Sequence, residues 1–187
     1  MIPKTIIHLL SGGLDSVTML YDLKSNGHLV HCLLADYRQR NVQELTFAKG
    51  HCRSLGVLWT TMELPELGGL TAPSWIVPNR NAILLSLAVS LACRSNSEAV
   101  TIGCNADDSE SFPDCRKEFM ESMNASVRAA GCNVELCAPY LDKTKRDIAR
   151  TAKELEVPLN NVWSCYIGGA KPCGACPACL KLEAALL

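Results

Sequence analysis

Short apolar or β-branched runs alternate along this chain with longer stretches of helical period, and the connections between them are brief. Residues 4–10 (KTIIHLL) read as a buried strand. Residues 15–26 read as a helix, with Leu14, Val17, Leu20, Tyr21 and Lys24 near one stripe and Gly27 as its stop. Residues 29–35 form a second strand, 42–55 a helix ended by Gly56, and 57–63 a third strand. A loop rich in Pro, Gly and Thr covers 64–78. Residues 81–94 are the most apolar helix, expected to be the most buried. Residues 99–103 are a fourth strand, followed by a polar loop to Cys115, a helix over 117–130, a fifth strand over 133–137 and a helix over 145–155. This alternation predicts an α/β fold, a doubly wound, Rossmann-like parallel sheet with helices on both faces. Such sheets bind ligands beyond the carboxyl ends of their strands.

The string after the first strand is Ser11-Gly12-Gly13-Leu14-Asp15-Ser16, and a helix opens there. Two glycines let successive backbone N–H groups converge on an anion. The helix N-terminus adds partial positive charge. Ser11 and Ser16 can donate to phosphate oxygens, and Asp15 can hold a magnesium ion or cap the helix. No Lys follows the glycines, so this is not the nucleotide loop of kinases and GTPases, and the spacing is not the dinucleotide fingerprint.

Eleven cysteines, an odd number, cannot close into a disulfide framework. Cys32, Cys52, Cys93, Cys104, Cys115, Cys132 and Cys137 are scattered and read as small buried hydrophobes in a reducing compartment. Cys165, Cys173, Cys176 and Cys179 crowd 15 residues with Gly and Pro turns between them, a spacing suited to a closed, structural zinc site. Two units are therefore expected, 1–160 carrying the sheet and 161–187 a zinc-binding tail packed on it. His8, His28, His31 and His51 fall in or beside strand and helix bodies and read as structural.

Composition narrows the function. Lys plus Arg number 18 and Asp plus Glu 19, a net charge of −1, which excludes nucleic-acid binding through a strong basic field. The longest nearly apolar run, residues 82–93, would reach about 18 Å as a helix, short of the roughly 30 Å of a bilayer core. The opening MIPKTIIHLL is too weak for a secretory leader. A cytoplasmic protein is expected, with no membrane and no direct nucleic-acid partner.

The string SGGLDS resembles the pyrophosphate loop of the N-type ATP pyrophosphatases, the adenine nucleotide alpha hydrolase type of fold. With DYRQR (36–40) and Glu44-Leu45, VPNRNAILLSLA (77–88), IGCNADDS (102–109), FPDCRKEF (112–119) with Met123-Asn124, and SCYIGGAKPCGACPAC (164–179), the chain resembles the 7-cyano-7-deazaguanine synthase family of the queuosine pathway. The resemblance implies a ligase that uses ATP and Mg²⁺ to convert 7-carboxy-7-deazaguanine and ammonia to the nitrile, working as a homodimer. It implies ATP contacts at Leu10, Ser11, Gly12, Gly13, Leu14, Asp15, Ser16, Asp36, Tyr37, Arg38, Arg80 and Asn81. It implies substrate contacts at Asn105, Asp108, Phe112, Asp114 and Arg116, where Asp114 could accept from a guanine-like N–H edge or cap the following helix. Ser11, Asp15, Ser16, Arg116 and Lys143 are the catalytic candidates, with Arg38, Arg40, Arg80 and Lys145 as further cations; Cys115 is expected to line the pocket. Zinc falls to the four tail cysteines. The family pattern has Ser-Gly where this chain has Glu110-Ser111, Gly where it has Asn79 and Asn where it has Ile167; it is also longer between 64 and 76. Glu110-Ser111 favours an alternative, a ligase joining the adenylated deazaguanine to another amine, on a protein in an antiviral defence system.

Overall fold

The computed structural model describes residues 2–72 and 76–187; the expected loop over 64–78 thus lies partly outside the described residues. Five parallel strands, β1 (Thr5–Leu9), β2 (Leu29–Asp36), β3 (Leu58–Glu63), β4 (Ala99–Thr101) and β5 (Glu135–Cys137), form one sheet in the order β3-β2-β1-β4-β5. The register sets Ile6 between Val30 of β2 and Ala99 of β4. The chain therefore winds outward from β1 on one side, then crosses to the other. The crevice this reversal leaves lies beyond the carboxyl ends of β1 and β4.

Eight helices lie among the described residues: α1 (Leu14–Ser25), α2 (Glu44–Ser54), α3 (Pro65–Gly68), α4 (Arg80–Ser95), α5 (Ala106–Ser109), α6 (Lys117–Ala129), α7 (Lys145–Glu154) and α8 (Pro177–Leu186). Period-two alternation in β1 feeds two cores. Ile6 and Leu10 pack with residues of α1, α2 and α7, whereas Ile7 and Leu9 pack with residues of α4 and α6.

Several expectations are corrected. The most buried helix is α1, with seven of its 12 residues buried against five of 16 in α4. The reason is position: α1 is covered by the sheet and by α7, while α4 leaves Ser86, Ser90 and Cys93 in water. Leu23, not Lys24, completes the buried stripe of α1. The expected polar loop before Cys115 contains α5 and a 3₁₀ turn, Pro113–Cys115. The tail holds more than metal ligands, since α8 packs on α7 and sends Ala185 into the first core. Of the seven scattered cysteines, Cys32, Cys52, Cys104 and Cys115 are buried; Cys93 is exposed, and Cys132 and Cys137 are half-buried. No helix among the described residues is long and apolar enough to cross a membrane.

Candidate active site

Residues 10–16 sit at the crevice. Leu10 continues β1, donating its N–H to the Leu33 carbonyl at 3.0 Å, and is buried with Leu14. The two serines close the loop on itself: Ser16 Oγ lies 3.0 Å from Ser11 Oγ, accepts from the Ser11 N–H at 3.2 Å and donates to the Gly13 carbonyl at 3.2 Å. The Gly13 N–H reaches Ser11 Oγ at 3.3 Å. Gly12 has φ +95°, and a Cβ there would collide with the Glu44 carbonyl, so the loop can form only with glycine at this position. Its carbonyl accepts from the Trp163 N–H at 2.9 Å, which ties the loop to the tail. On β4's side, a Cβ at Gly103 would come within 3.0 Å of the Ser16 nitrogen.

His8 braces the loop from below. Its Nε2 lies 2.9 Å from the Ser16 carbonyl and its Nδ1 2.8 Å from Thr101 Oγ1. A carbonyl can only accept, so Nε2 carries the proton and Nδ1 accepts from the threonine. Burial holds the imidazole neutral, its pKa brought down to about 4.

The cation at this loop is Lys145. Its Nζ lies 2.9 Å from Asp15 Oδ2, with both side chains mostly buried. Burial pulls its pKa down, but Asp15 and then Asp108 outweigh that, and the ammonium stays charged. A cation in the first turn of a helix opposes the helix dipole. It is held by Asp15, by Asp107 Oδ2 on its N–H at 2.9 Å, and by the Thr144–Asp147 capping box. Lys143 points elsewhere: its ammonium stands 4.5 Å from the Tyr140 ring centroid and 3.5 Å from Thr151 Oγ1. Asp15 Oδ1 is buried without a partner among the described residues. An unused carboxylate oxygen beside the glycine–serine loop fits a divalent cation; Asp15 would hold Mg²⁺ there, and the ion would neutralise phosphate charge.

The remaining candidates divide. Asp36 Oδ1 accepts from the Arg38 N–H at 3.0 Å, and Arg38 itself has φ +58°. Arg80 donates to the buried Tyr37 hydroxyl at 3.3 Å. Glu44, part of the family resemblance but given no role by it, is gripped by Gln39 at 3.1 Å and Asn41 at 2.7 Å; burial raises its pKa to about 7. Asn81 is buried, donating to the Asp114 carbonyl at 3.1 Å and to Cys115 Sγ at 3.4 Å. Asp114 Oδ2 accepts from the Asn81 N–H at 3.2 Å, so it caps α4 and not the helix that follows it. Asn105 is fully buried and spent on Asp108, capping α5 at 3.0 Å. Phe112 packs on the second core, and Arg116 donates to the Ser109 carbonyl at 2.9 Å from an exposed position. Cys115 belongs to that same core. Asn79 has φ +57°, where asparagine is the tolerated substitute for glycine.

The four tail thiols lie within 4.8 Å of one another. A tetrahedral zinc with bonds of about 2.3 Å would need sulfurs about 3.8 Å apart. Cys173 and Cys179 are already at 4.0 Å, and the N–H groups of Cys173 and Cys176 donate to cluster sulfurs at 3.4 and 3.3 Å. Burial opposes ionisation of Cys176, but N–H donation from Tyr166 and Cys179 brings its pKa down to about 6. Four soft ligands with supporting donors fit a structural metal ion. Trp163 packs against the cluster and against Phe47, so the cysteine segment is continuous with the residue that holds Gly12.

A groove of about 420 Å³ along the outer face of α4, lined by Asn79, Ala82, Ile83, Ser86, Leu87 and Ser90, contains no charged side chain and is separate from this chemistry.

Sheet order and loop position define the class: a parallel, Rossmann-like α/β protein with a glycine–serine loop at its switch point. The solved structures agree on this fold. The fold is similar over 99% of the chain to the U34-tRNA thiolase NcsA from Methanococcus maripaludis, at TM-score 0.63, 15% identity and 65% of that chain. Over 88% it is similar to the NH3-dependent NAD synthetase from Campylobacter jejuni, at TM-score 0.59, 20% identity and 66% of that chain. The family comparison is narrower. The family model described as "Queuosine biosynthesis protein QueC" matches residues 5–72 and 61–187. The chain is 40% identical over 194 residues to the 7-cyano-7-deazaguanine synthase of Caldicellulosiruptor bescii, covering 92% of this chain and 88% of that one. It is 36% identical over 203 residues to that of Archaeoglobus fulgidus, covering 97% and 85%. The chain belongs to the QueC family of queuosine biosynthesis proteins.

Proposed function

We propose that this chain is a cytoplasmic, ATP-dependent carbon–nitrogen ligase that turns 7-carboxy-7-deazaguanine and ammonia into 7-cyano-7-deazaguanine. The observation that carries the reading is the self-closed serine loop at the switch point, with Lys145 and Asp15 at its edge. The names of the relatives supply the substrate class, and seven free thiols outside the cluster suit a reducing compartment.

The task is to bring two anions together, and this chain's residues are suited to it. Loop amides and the Ser11 and Ser16 hydroxyls, released from each other, turn to the leaving pyrophosphate. Lys145 stands where charge develops at the α-phosphate. The substrate carboxylate attacks that phosphorus, pyrophosphate leaves, and an acyl-adenylate forms. Ammonia displaces AMP to give the amide. The amide oxygen then attacks the α-phosphate of a second ATP, pyrophosphate leaves again, and loss of AMP with two protons leaves the nitrile. Incubation with ATP, Mg²⁺, 7-carboxy-7-deazaguanine and ammonium should release AMP and give the nitrile mass. AMP release only when a protein acceptor is present would favour the alternative ligase, for which the exposed Glu110-Ser111 speaks. Absence of AMP in both arms would overturn both. Light scattering should give a homodimer; the exposed face of α4 supports this part of the reading.

A further inference from the structure

We infer that Glu44 is a positioning residue for the loop of Ser11–Ser16: its carboxylate ties the segment 37–41 to the first turn of α2, and that turn is the seat on which Gly12 rests. This rests on the proposed ligase activity and extends it to a residue outside the loop itself.

The seat is a backbone contact. A Cβ at Gly12 would collide with the Glu44 carbonyl and come within 3.2 Å of the Ala48 nitrogen, one turn further along α2. Gly12 therefore lies directly on the helix, and in a close-packed interior a shift of this turn is passed to the loop. The first turn has no side-chain cap at Gln43. Glu44 supplies the restraint instead. Its Oε2 accepts from Asn41 Nδ2 at 2.7 Å and its Oε1 from Gln39 Nε2 at 3.1 Å, while its N–H donates to the Asn41 carbonyl at 2.9 Å. Gln39 is buried and carries the restraint to the sheet. Its Nε2 also donates to the Ala35 carbonyl of β2 at 3.2 Å, and its Oε1 accepts from the Tyr37 N–H at 3.0 Å. A continuous path thus runs from the end of β2 through Gln39 and Glu44 to Gly12.

The same segment meets two more glycines. Gly68 of α3 lies so close to the Tyr37 carbonyl, and Gly168 of the tail so close to the Arg40 carbonyl, that a Cβ at either would collide. Three carbonyls of one short segment, those of Tyr37, Arg40 and Glu44, each press on a glycine from a different part of the chain. Arg80, which donates to the Tyr37 hydroxyl, faces the Glu44 carboxylate from α4. Both bonds to the carboxylate need only its shape and one partner for each neighbouring amide. Glutamine keeps them: its oxygen accepts from Gln39, whose orientation Ala35 and Tyr37 fix, and its amide donates to Asn41 once that side chain turns its oxygen inward. Alanine keeps neither.

The test is AMP release with ATP varied, together with calorimetric binding of a non-hydrolysable ATP analogue and of 7-carboxy-7-deazaguanine. It compares the unchanged full chain with Glu44→Ala and Glu44→Gln, each well below its melting temperature. A loop displaced by about 1 Å implies a loss of roughly 10- to 100-fold in kcat/KM for ATP in the alanine variant. Analogue affinity should fall with it, and 7-carboxy-7-deazaguanine affinity should stay within about threefold. Glu44→Gln should return ATP kinetics to within about threefold of the unchanged chain, a rescue specific to the two hydrogen bonds. If Glu44→Ala fails to fold, Asn41→Ala removes the 2.7 Å bond alone and should cost about tenfold. Alanine variants with unchanged ATP kinetics, a glutamine variant as impaired as alanine, or equal losses for both ligands would overturn the inference and leave the ligase reading standing. No AMP from the unchanged chain would overturn the ligase reading, and analogue binding by the same variants would then decide the inference by itself.

Discussion

Replacing Lys145 by Met removes the charge that the structure sets against the phosphate loop while keeping most of the aliphatic stem. Lys145 Nζ is 2.9 Å from Asp15 Oδ2, and the two side chains are 17% and 15% exposed. Asp15 Oδ1 already lacks a partner among the described residues, so the variant leaves the whole carboxylate uncompensated. Removing one member of a fully buried pair costs about 3–5 kcal/mol. The remaining exposure of both groups reduces that to about 2–3 kcal/mol, or a Tm lower by roughly 5–10 °C in a chain of this length. Loss of one preorganised charge at a developing anion costs on the order of 10²–10³ in turnover. Urea unfolding and AMP release, measured on the same preparation, read the two effects apart. The double variant D15N/K145M, with neither charge buried, should recover most of the stability and none of the activity. Lys143→Met should cost less turnover than K145M, because its ammonium faces Tyr140 and Thr151. K145M that releases AMP within threefold of the unchanged chain would refute the placement of Lys145 at the phosphates.

Further outcomes follow from the same geometry. His8 titrates near 4 when folded against an ordinary 6.5, so its contribution is complete above pH 6.5 and lost as pH falls toward 4, about 3 kcal/mol in all. Glu44, raised from 4.5 to about 7, acts oppositely: stability falls as pH rises from 4.5 through 7. Urea melts across pH 4.5–7 should therefore lose a rising component in His8→Phe and gain one in Glu44→Gln; parallel curves would contradict both assignments. Chelating the metal should lower Tm by on the order of 10 °C and weaken ATP binding, since Trp163 joins the cluster to Gly12; unchanged ATP affinity in the metal-free chain would break that link. Gly12→Ala, which must hold φ +95° against the Glu44 carbonyl, should abolish measurable AMP release and destabilise by about 3 kcal/mol in thermal melts.

Much of this arrangement was legible in the residues. Periodicity gives the five strands and the long helices α1, α2, α4, α6 and α7, though not α3, α5 or α8, and SGGLDS marks the strand-to-helix loop at the switch point because its glycines admit the turn that the loop needs. Other features depend on packing that no local pattern encodes. Lys143 and Lys145 are two residues apart, and only the turn at Thr144 decides which ammonium reaches Asp15. Asn81 and Asp114 read as ligand contacts, yet they bond to each other across 33 positions and brace the crevice wall. The apolarity of 81–94 says that the helix buries a face, not that α1 would be covered twice. Trp163 gains its meaning only once the tail folds back onto the first loop. Asn79 was visible as a departure from a family glycine, and its φ of +57° supplies the reason.

The central claim is that a substrate carboxylate captures adenylate at the loop of Ser11–Ser16. Carboxyl oxygen labelled with ¹⁸O tests it directly: turnover of labelled 7-carboxy-7-deazaguanine with ATP and ammonium should place one heavy oxygen in each AMP released, read by mass spectrometry. AMP free of label, alongside formed product, would contradict the account.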